Sequence, residues 1–260
     1  MNGIKAIGFD MDYTIAVYKS PAFEQLGFRL MVDRLIEIGY PAEIRTNYEY
    51  DTSFVTRGLV FDAELGNMLK IDSNGNILVA SHGLKMMRPA DIRKCYPNKF
   101  IQKDDSSKFY IYNTLFNLPE VYLMSAIIDM FETREGSKVM KKGVMLADDV
   151  ILTYKQLQKD VRAAVDWVHM RGALKNATVK DHQKYIARDE NLPILLDRML
   201  DSGKKLFLAT NSEYWYRVIY LKRHILSKIH VFGSKKGLVK PFLGQKGHFR
   251  VKNGHFKPFS

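Results

Sequence analysis

The sequence predicts an α/β fold, a doubly wound and mostly parallel core with an inserted cap, on three observations. Apolar runs at Ile4–Phe9 and at Lys205–Ala209 each read as a buried strand that ends in a polar turn. The interval of about 200 residues between them is too long for a simple loop and must hold elements of its own. That interval alternates helical periodicity with short strand-like runs, without internal repeat or low-complexity linker.

The elements follow in order. After the first strand, Leu30, Met31, Leu35, Ile36 and Ile38 place a helix over 28–38 that Gly39 and Pro41 stop. Leu59–Phe61 and 67–81 read as strands, and Ser73-Asn74-Gly75-Asn76 is an Asn-Gly turn closing a hairpin. A helical stretch begins at Pro119 and runs through Phe131. Tyr154–His169 is amphipathic, with Leu157, Val161, Val165 and Val168 on one face and Gly172 at its end. Leu192–Leu200 is a further helix with Pro193 in its first turn and Gly203 behind it. Lys205–Ala209 then leads directly into Thr210-Asn211-Ser212.

With 260 residues, 46% hydrophobic and 26% charged, the chain is long enough to bury a sizeable core and has an ordinary soluble composition. Its one cysteine, Cys95, excludes an internal disulfide and suits a reducing compartment. Asp10 and Asp12 interrupt the only early apolar stretch, so no secretory signal is expected. The apolar stretch 121–131 is too short to span a bilayer and contains Asp129. A cytoplasmic protein with no membrane partner is the expectation.

The net charge of +12 is unevenly placed. Residues 1–216 carry 29 Lys/Arg against all 28 Asp/Glu, whereas 217–260 carry 11 Lys/Arg, no acid, and His224, His230, His248 and His255. A basic arm for nucleic acid would use such a tail, with Phe232, Phe242, Phe249, Phe256 and Phe259 as stacking groups. Because the rest of the chain is charge-balanced, nucleic acid is not the expected partner.

The strongest chemical signal is Phe9-Asp10-Met11-Asp12-Tyr13-Thr14. Alternation along a strand sends residues i and i+2 to one side, so both carboxylates can face one reacting group. Two like charges so close favour a cation between them, which makes Mg²⁺ the natural companion and points to phosphoryl chemistry. An acidic turn after a strand is the plain alternative. Thr210-Asn211-Ser212, read alone, is a helix N-cap. Ligands of open parallel sheets bind beyond the carboxyl ends of strands, and there the two turns would supply carboxylates and hydroxyls to one crevice.

These strings resemble the cytosolic purine 5′-nucleotidase family of the haloacid dehalogenase-like phosphatases, which includes the 5′-nucleotidase domain-containing proteins. The resemblance is carried by 9–19, Thr56-Arg57-Gly58-Leu59-Val60-Phe61-Asp62, Tyr96-Pro97-Asn98-Lys99-Phe100 and 113–120. Asp160-Val161-Arg162, Ala164-Val165-Asp166-Trp167-Val168-His169 and 208–212 extend it, so that it runs nearly unbroken over 1–216. It implies a Rossmannoid core from 1–40 and 190–216, a cap with core-flanking helices and hairpin over 41–189, and a basic tail over 217–260.

Carried over residue by residue, the resemblance makes Asp10 the nucleophile that forms an aspartyl-phosphate and Asp12 the general acid and base. Asp10 and the backbone oxygen of Asp12 would hold Mg²⁺. Thr210, with Asn211 and Ser212, matches the phosphate-gripping turn, and Lys236 the phosphate-neutralising lysine, with Lys240 second. Phe116 resembles the aromatic that stacks on a purine; Asn113, Arg162, Asp166, His169 and Lys175 resemble contacts to base and ribose. The spacing of 162, 166 and 169 puts them on one helix face, and by spacing alone that stripe reads as a solvated face with an Arg162–Asp166 ion pair. Met170 stands where the purine enzyme has an aromatic residue.

The implied substrate is a nucleoside 5′-monophosphate such as inosine or guanosine monophosphate, and the full-length family implies a homo-oligomer. The stretch 217–230 departs from the family pattern, and the pieces of its cationic motif, Val231-Phe232-Gly233-Ser234-Lys235-Lys236 and Lys240-Pro241-Phe242, are separated by extra residues. No acid follows Glu213, so the family's later acidic metal motif is absent from these residues. The expectation is a core incomplete at the C-terminus, with impaired activity. Competing readings are a catalytically inactive interaction protein on the phosphatase fold and a nucleic-acid binder acting through the basic tail.

Overall fold

A computed structural model of the chain describes residues 3–212, 215–216, 230–233, 249–252 and 255–258. In chain order the elements are β1 (Ala6–Phe9), α1 (Ala22–Glu37), α2 (Glu43–Asn47), β2 (Leu59–Asp62), β3 (Asn67–Ile71), β4 (Ile77–His82), β5 (Lys85–Met86), α3 (Pro89–Cys95) and β6 (Phe109–Tyr112). A 3-10 turn over Leu115–Asn117 precedes α4 (Leu118–Thr133), β7 (Lys138–Met140), β8 (Gly143–Met145), β9 (Ile151–Thr153) and α5 (Tyr154–Met170). Then come α6 (Ala173–Lys180), α7 (His182–Tyr185), α8 (Asn191–Asp201), β10 (Lys205–Thr210), β11 (His230–Gly233), β12 (Phe249–Lys252) and β13 (His255–Pro258). The fold is α/β, as expected. It divides into a first unit, Met1–Phe23 with Lys175–Ser260, and a second, Glu24–Leu174.

In the first unit β1 and β10 pair in parallel, Ala6 with Lys205 through Phe9 with Leu208, and β11 continues the parallel sheet on the other side of β10. Parallel neighbours need a long crossover, which the intervening chain supplies. β10 buries Leu206, Leu208 and Thr210. β1 is less buried than its sequence suggested: Ile7 and Phe9 are half-buried and Ala6 and Gly8 exposed, because β1 is the edge of this sheet among the described residues. Gly8 lies opposite Phe207, and a Cβ there would run into that ring. Asp189 caps α8 by accepting the N–H groups of Asn191 and Leu192. Gly203 ends it at φ +78°, a left-handed conformation suited to glycine. The antiparallel pair β12–β13 completes the described strands.

The second unit holds an antiparallel sheet in the order β5-β4-β3-β2-β6. Its inner face packs Val60, Leu69, Ile77 and Ala80 with Ile92, Tyr96, Ile101 and Phe109. The hairpin turn falls where Asn-Gly placed it. Asp72 accepts the N–H groups of Asn74 and Asn76, and Gly75 takes φ +98°. Helix α4 is buried on nearly every side, and α5 lays its Leu157–Val161–Val165–Val168 stripe into the core, as its periodicity required. The three-residue strands β7, β8 and β9 form a separate small sheet that alternation was too brief to reveal.

Residues 24–40, expected with the phosphatase core, fall in the second unit, and 175–189, expected with the cap, fall in the first. Phe28 of α1 packs its ring on Tyr50 and Tyr122, and Tyr18 bridges to Ile186.

Candidate functional site

The parallel register of β1 and β10 brings their carboxyl ends to one edge, so the two polar turns meet there. Beyond β1 the chain closes a tight loop. The N–H groups of Thr14, Ile15 and Ala16 converge on the Met11 carbonyl at 3.3, 3.1 and 2.9 Å, and Tyr13 stands at φ +58°. A tyrosine in the left-handed region costs about 1–3 kcal/mol and marks a loop shaped by its surroundings. Asp10 is exposed on this loop and Asp12 half-buried.

Asp12 is held on both oxygens. The Tyr18 hydroxyl donates to Oδ1 at 2.6 Å and the Ser212 hydroxyl to Oδ2 at 2.9 Å. The Tyr216 hydroxyl lies 3.1 Å from that of Tyr18. Burial, reinforced by Tyr216 and by the charge of Asp12, raises the Tyr18 phenol far above its ordinary range, so it remains a donor. Burial pushes Tyr216 up to about 12. Thr210 Oγ accepts the Ser212 N–H at 3.1 Å, which leaves the threonine proton for another acceptor. Lys175 lies over the Tyr216 ring at 5.9 Å.

Among the described residues no group of three or more His, Cys, Asp or Glu side chains is placed to hold a metal ion. Mg²⁺ commonly takes only one or two protein carboxylates and fills its other positions with water and substrate phosphate. The exposed Asp10 carboxylate and the backbone oxygen of Asp12 fit that small donor set, while the Asp12 carboxylate is already engaged by two hydroxyls.

The second unit carries the other predicted residues. Phe116 and His169 stand edge to face with ring centroids 6.0 Å apart, and Asn113 is exposed before the 3-10 turn. On α5, Arg162 makes the ion pair with Asp166 that the spacing alone allowed, at 2.5 Å. Its Nη1 also donates to Glu120 at 2.9 Å and to Tyr110 at 3.0 Å. Burial pushes the Glu120 carboxyl up and the Arg162 charge opposes it. Met170 is 76% exposed.

Sequence reasoning missed Tyr18, Tyr216 and Glu120. Glu120 carried a signal, an acid three residues after Asn117 at a helix start; the tyrosines carried none, because nothing local reports which hydroxyl reaches Asp12. Lys236 and Lys240 lie outside the described residues.

A family model described as "5' nucleotidase family" matches residues 1–236 of the chain. Over 227 residues, 82% of the chain, it is 31% identical to 5'-nucleotidase domain-containing protein 2 of Rattus norvegicus. The chain spans 38% of that relative's length.

Proposed function

This chain belongs to the 5′-nucleotidase family, and from that premise we propose that it hydrolyses nucleoside 5′-monophosphates, purine ones foremost, with Mg²⁺. The observation that carries the reading is the Ser212–Asp12 hydrogen bond, which joins the carboxylate turn after β1 to the hydroxyl turn after β10.

Asp10, exposed at the strand end, attacks phosphorus and becomes the aspartyl-phosphate, which splits one difficult hydrolysis into two steps. Asp12, in its protonated form, gives a proton to the departing 5′-oxygen, and as carboxylate takes one from the water that releases phosphate. Thr210 has a hydroxyl proton to offer the phosphate, and the turn of Asn211 and Ser212 frames it. Held by Asp10 and the Asp12 backbone oxygen, Mg²⁺ would supply neutralising charge for the phosphoryl group. Phe116 and His169 offer ring faces and edges to a purine. Asn113, Arg162, Asp166 and Lys175 complete the nucleotide contacts, with Lys236 as phosphate lysine. Arg162 acts partly by keeping Glu120 and Asp166 in place.

Among the described residues no helix is long and apolar enough to cross a membrane. The reading places the chain in the cytoplasm as a homo-oligomer acting on a free nucleotide. Phosphate release from inosine, guanosine, adenosine, cytidine and uridine monophosphates, with Mg²⁺ and with chelator, tests it. Turnover that prefers inosine and guanosine monophosphate and stops with chelator is expected. Equal rates on all five, or none, would remove the purine assignment or the activity.

A further inference from the structure

An ionised carboxylate only accepts hydrogen bonds, and a phenol carries one proton. The Tyr18 hydroxyl gives its proton to Oδ1 of Asp12, so in the 3.1 Å contact between the two phenols Tyr216 is the donor. The hydrogen bonds therefore run in one direction, Tyr216 to Tyr18 to Asp12. Tyr18 is also clamped: the residue is 6% exposed, and its ring is stacked on Phe23 at 4.1 Å and edge-on to Tyr13 at 5.1 Å. Its backbone is pinned on both sides, with the Lys19 N–H on the Tyr185 carbonyl and the Ala187 N–H on the Val17 carbonyl, each at 2.8 Å. A hydroxyl on so restrained a ring imposes a direction on what it bonds.

We propose that Tyr18 is a positioning residue for Asp12, with Tyr216 orienting its hydroxyl, and that the pair aims the Asp12 carboxyl at the leaving 5′-oxygen and then at the attacking water. The inference rests on the nucleotidase reading above. In the first half-reaction an Asp10 oxygen bonds to phosphorus, the bond from phosphorus to the 5′-oxygen breaks, and the Asp12 proton passes to that oxygen. In the second, Asp12 takes a proton from water, the water oxygen bonds to phosphorus, and the bond from phosphorus to Asp10 breaks.

Leaving-group dependence separates aiming from mere support of the fold. A nucleoside alkoxide needs a proton to depart, whereas p-nitrophenolate does not. Tyr18→Phe keeps the ring and removes the hydroxyl. It should lower kcat/KM for inosine monophosphate about tenfold, the value of a hydrogen bond to a charged group, and change kcat/KM for p-nitrophenyl phosphate less than about twofold. Because water activation is impaired as well, p-nitrophenolate should appear in a stoichiometric burst followed by slow turnover. Tyr216→Phe, one bond further from Asp12, should act in the same direction and more weakly, and it carries the test should Tyr18→Phe fail to fold. Equal losses on both substrates, or no loss on either, would overturn the positioning role. Full turnover by Asp10→Asn, or a wild-type chain inert on both substrates, would instead overturn the nucleotidase reading and the inference with it.

Discussion

Ser212 donates its hydroxyl to Oδ2 of Asp12 over 2.9 Å, between residues 200 positions apart in the chain. A serine hydroxyl has one proton, so in this arrangement Ser212 serves the carboxylate, while Thr210 retains a proton for phosphate. Ser212→Ala should therefore lower kcat for inosine monophosphate about tenfold with KM little changed. Thr210→Val should chiefly raise KM and weaken inhibition by inorganic phosphate. Steady-state kinetics of the two variants, with phosphate as inhibitor, distinguish these effects; the reverse pattern would exchange the two roles.

Asp10→Asn should abolish turnover by removing the nucleophile, and Asp12→Asn should reduce it roughly 10²–10⁴-fold without unfolding the chain. Chelation of Mg²⁺ should silence the wild type reversibly. Phosphate release, read beside thermal melts of each variant, checks all three expectations.

Arg162 faces a buried carboxylate and an exposed one: the side chain of Glu120 is 1% exposed and that of Asp166 54%. Arg162→Met leaves Glu120 buried without its cation and should cost about 3–5 kcal/mol. Asp166→Asn removes a solvated partner and should cost about 0–1 kcal/mol. Replacing Glu120 by Gln in the Arg162→Met background should restore most of the loss. Urea unfolding of the three variants measures each value.

Glu132 lies 2.7 Å from Nε2 of His82 and accepts the Tyr154 hydroxyl at 2.5 Å. On the other side of the imidazole, Asp62 accepts from Tyr96 and Tyr96 from Asn67, so the Asn67 oxygen accepts from Nδ1 of His82. Burial pushes the Glu132 carboxyl up, but the hydrogen bonds from His82 and Tyr154 and the charges of His82 and Lys85 outweigh it and hold it low. A carboxyl lowered in the folded state stabilises fully above its ordinary value of 4.5, and that contribution is lost as pH falls through the folded value. Glu132→Gln should be less stable than wild type at pH 7 and should lose stability less steeply below pH 4.5. Chemical unfolding at a series of pH values would show it; parallel curves would refute the assignment.

Elements with a strong local period were legible early. The α5 stripe, the Asn-Gly hairpin and the strand before Thr210 all stand where apolar spacing and turn chemistry put them. The start of α1 at Ala22 was missed although Phe23 and Leu26 continue the helical apolar spacing back from Leu30. The strands β7 to β9 were missed because three residues cannot establish an alternation.

The sequence alone determined the α/β class, the two strand ends that present Asp10, Asp12, Thr210 and Ser212, and the helix face that carries Arg162 and Asp166. These depend on periods of two and 3.6 residues and on turn residues, which are local properties of the chain. Tertiary structure alone decided that Ser212 bonds Asp12, that Tyr18 and Tyr216 line up behind the same carboxylate, and that Glu120 draws Arg162 inward. Apart from the Tyr18–Asp12 bond, which closes a tight loop, these contacts join residues far apart in sequence through strand register or helix packing, and a hydrogen bond across such a distance leaves no periodic trace in either partner's neighbourhood.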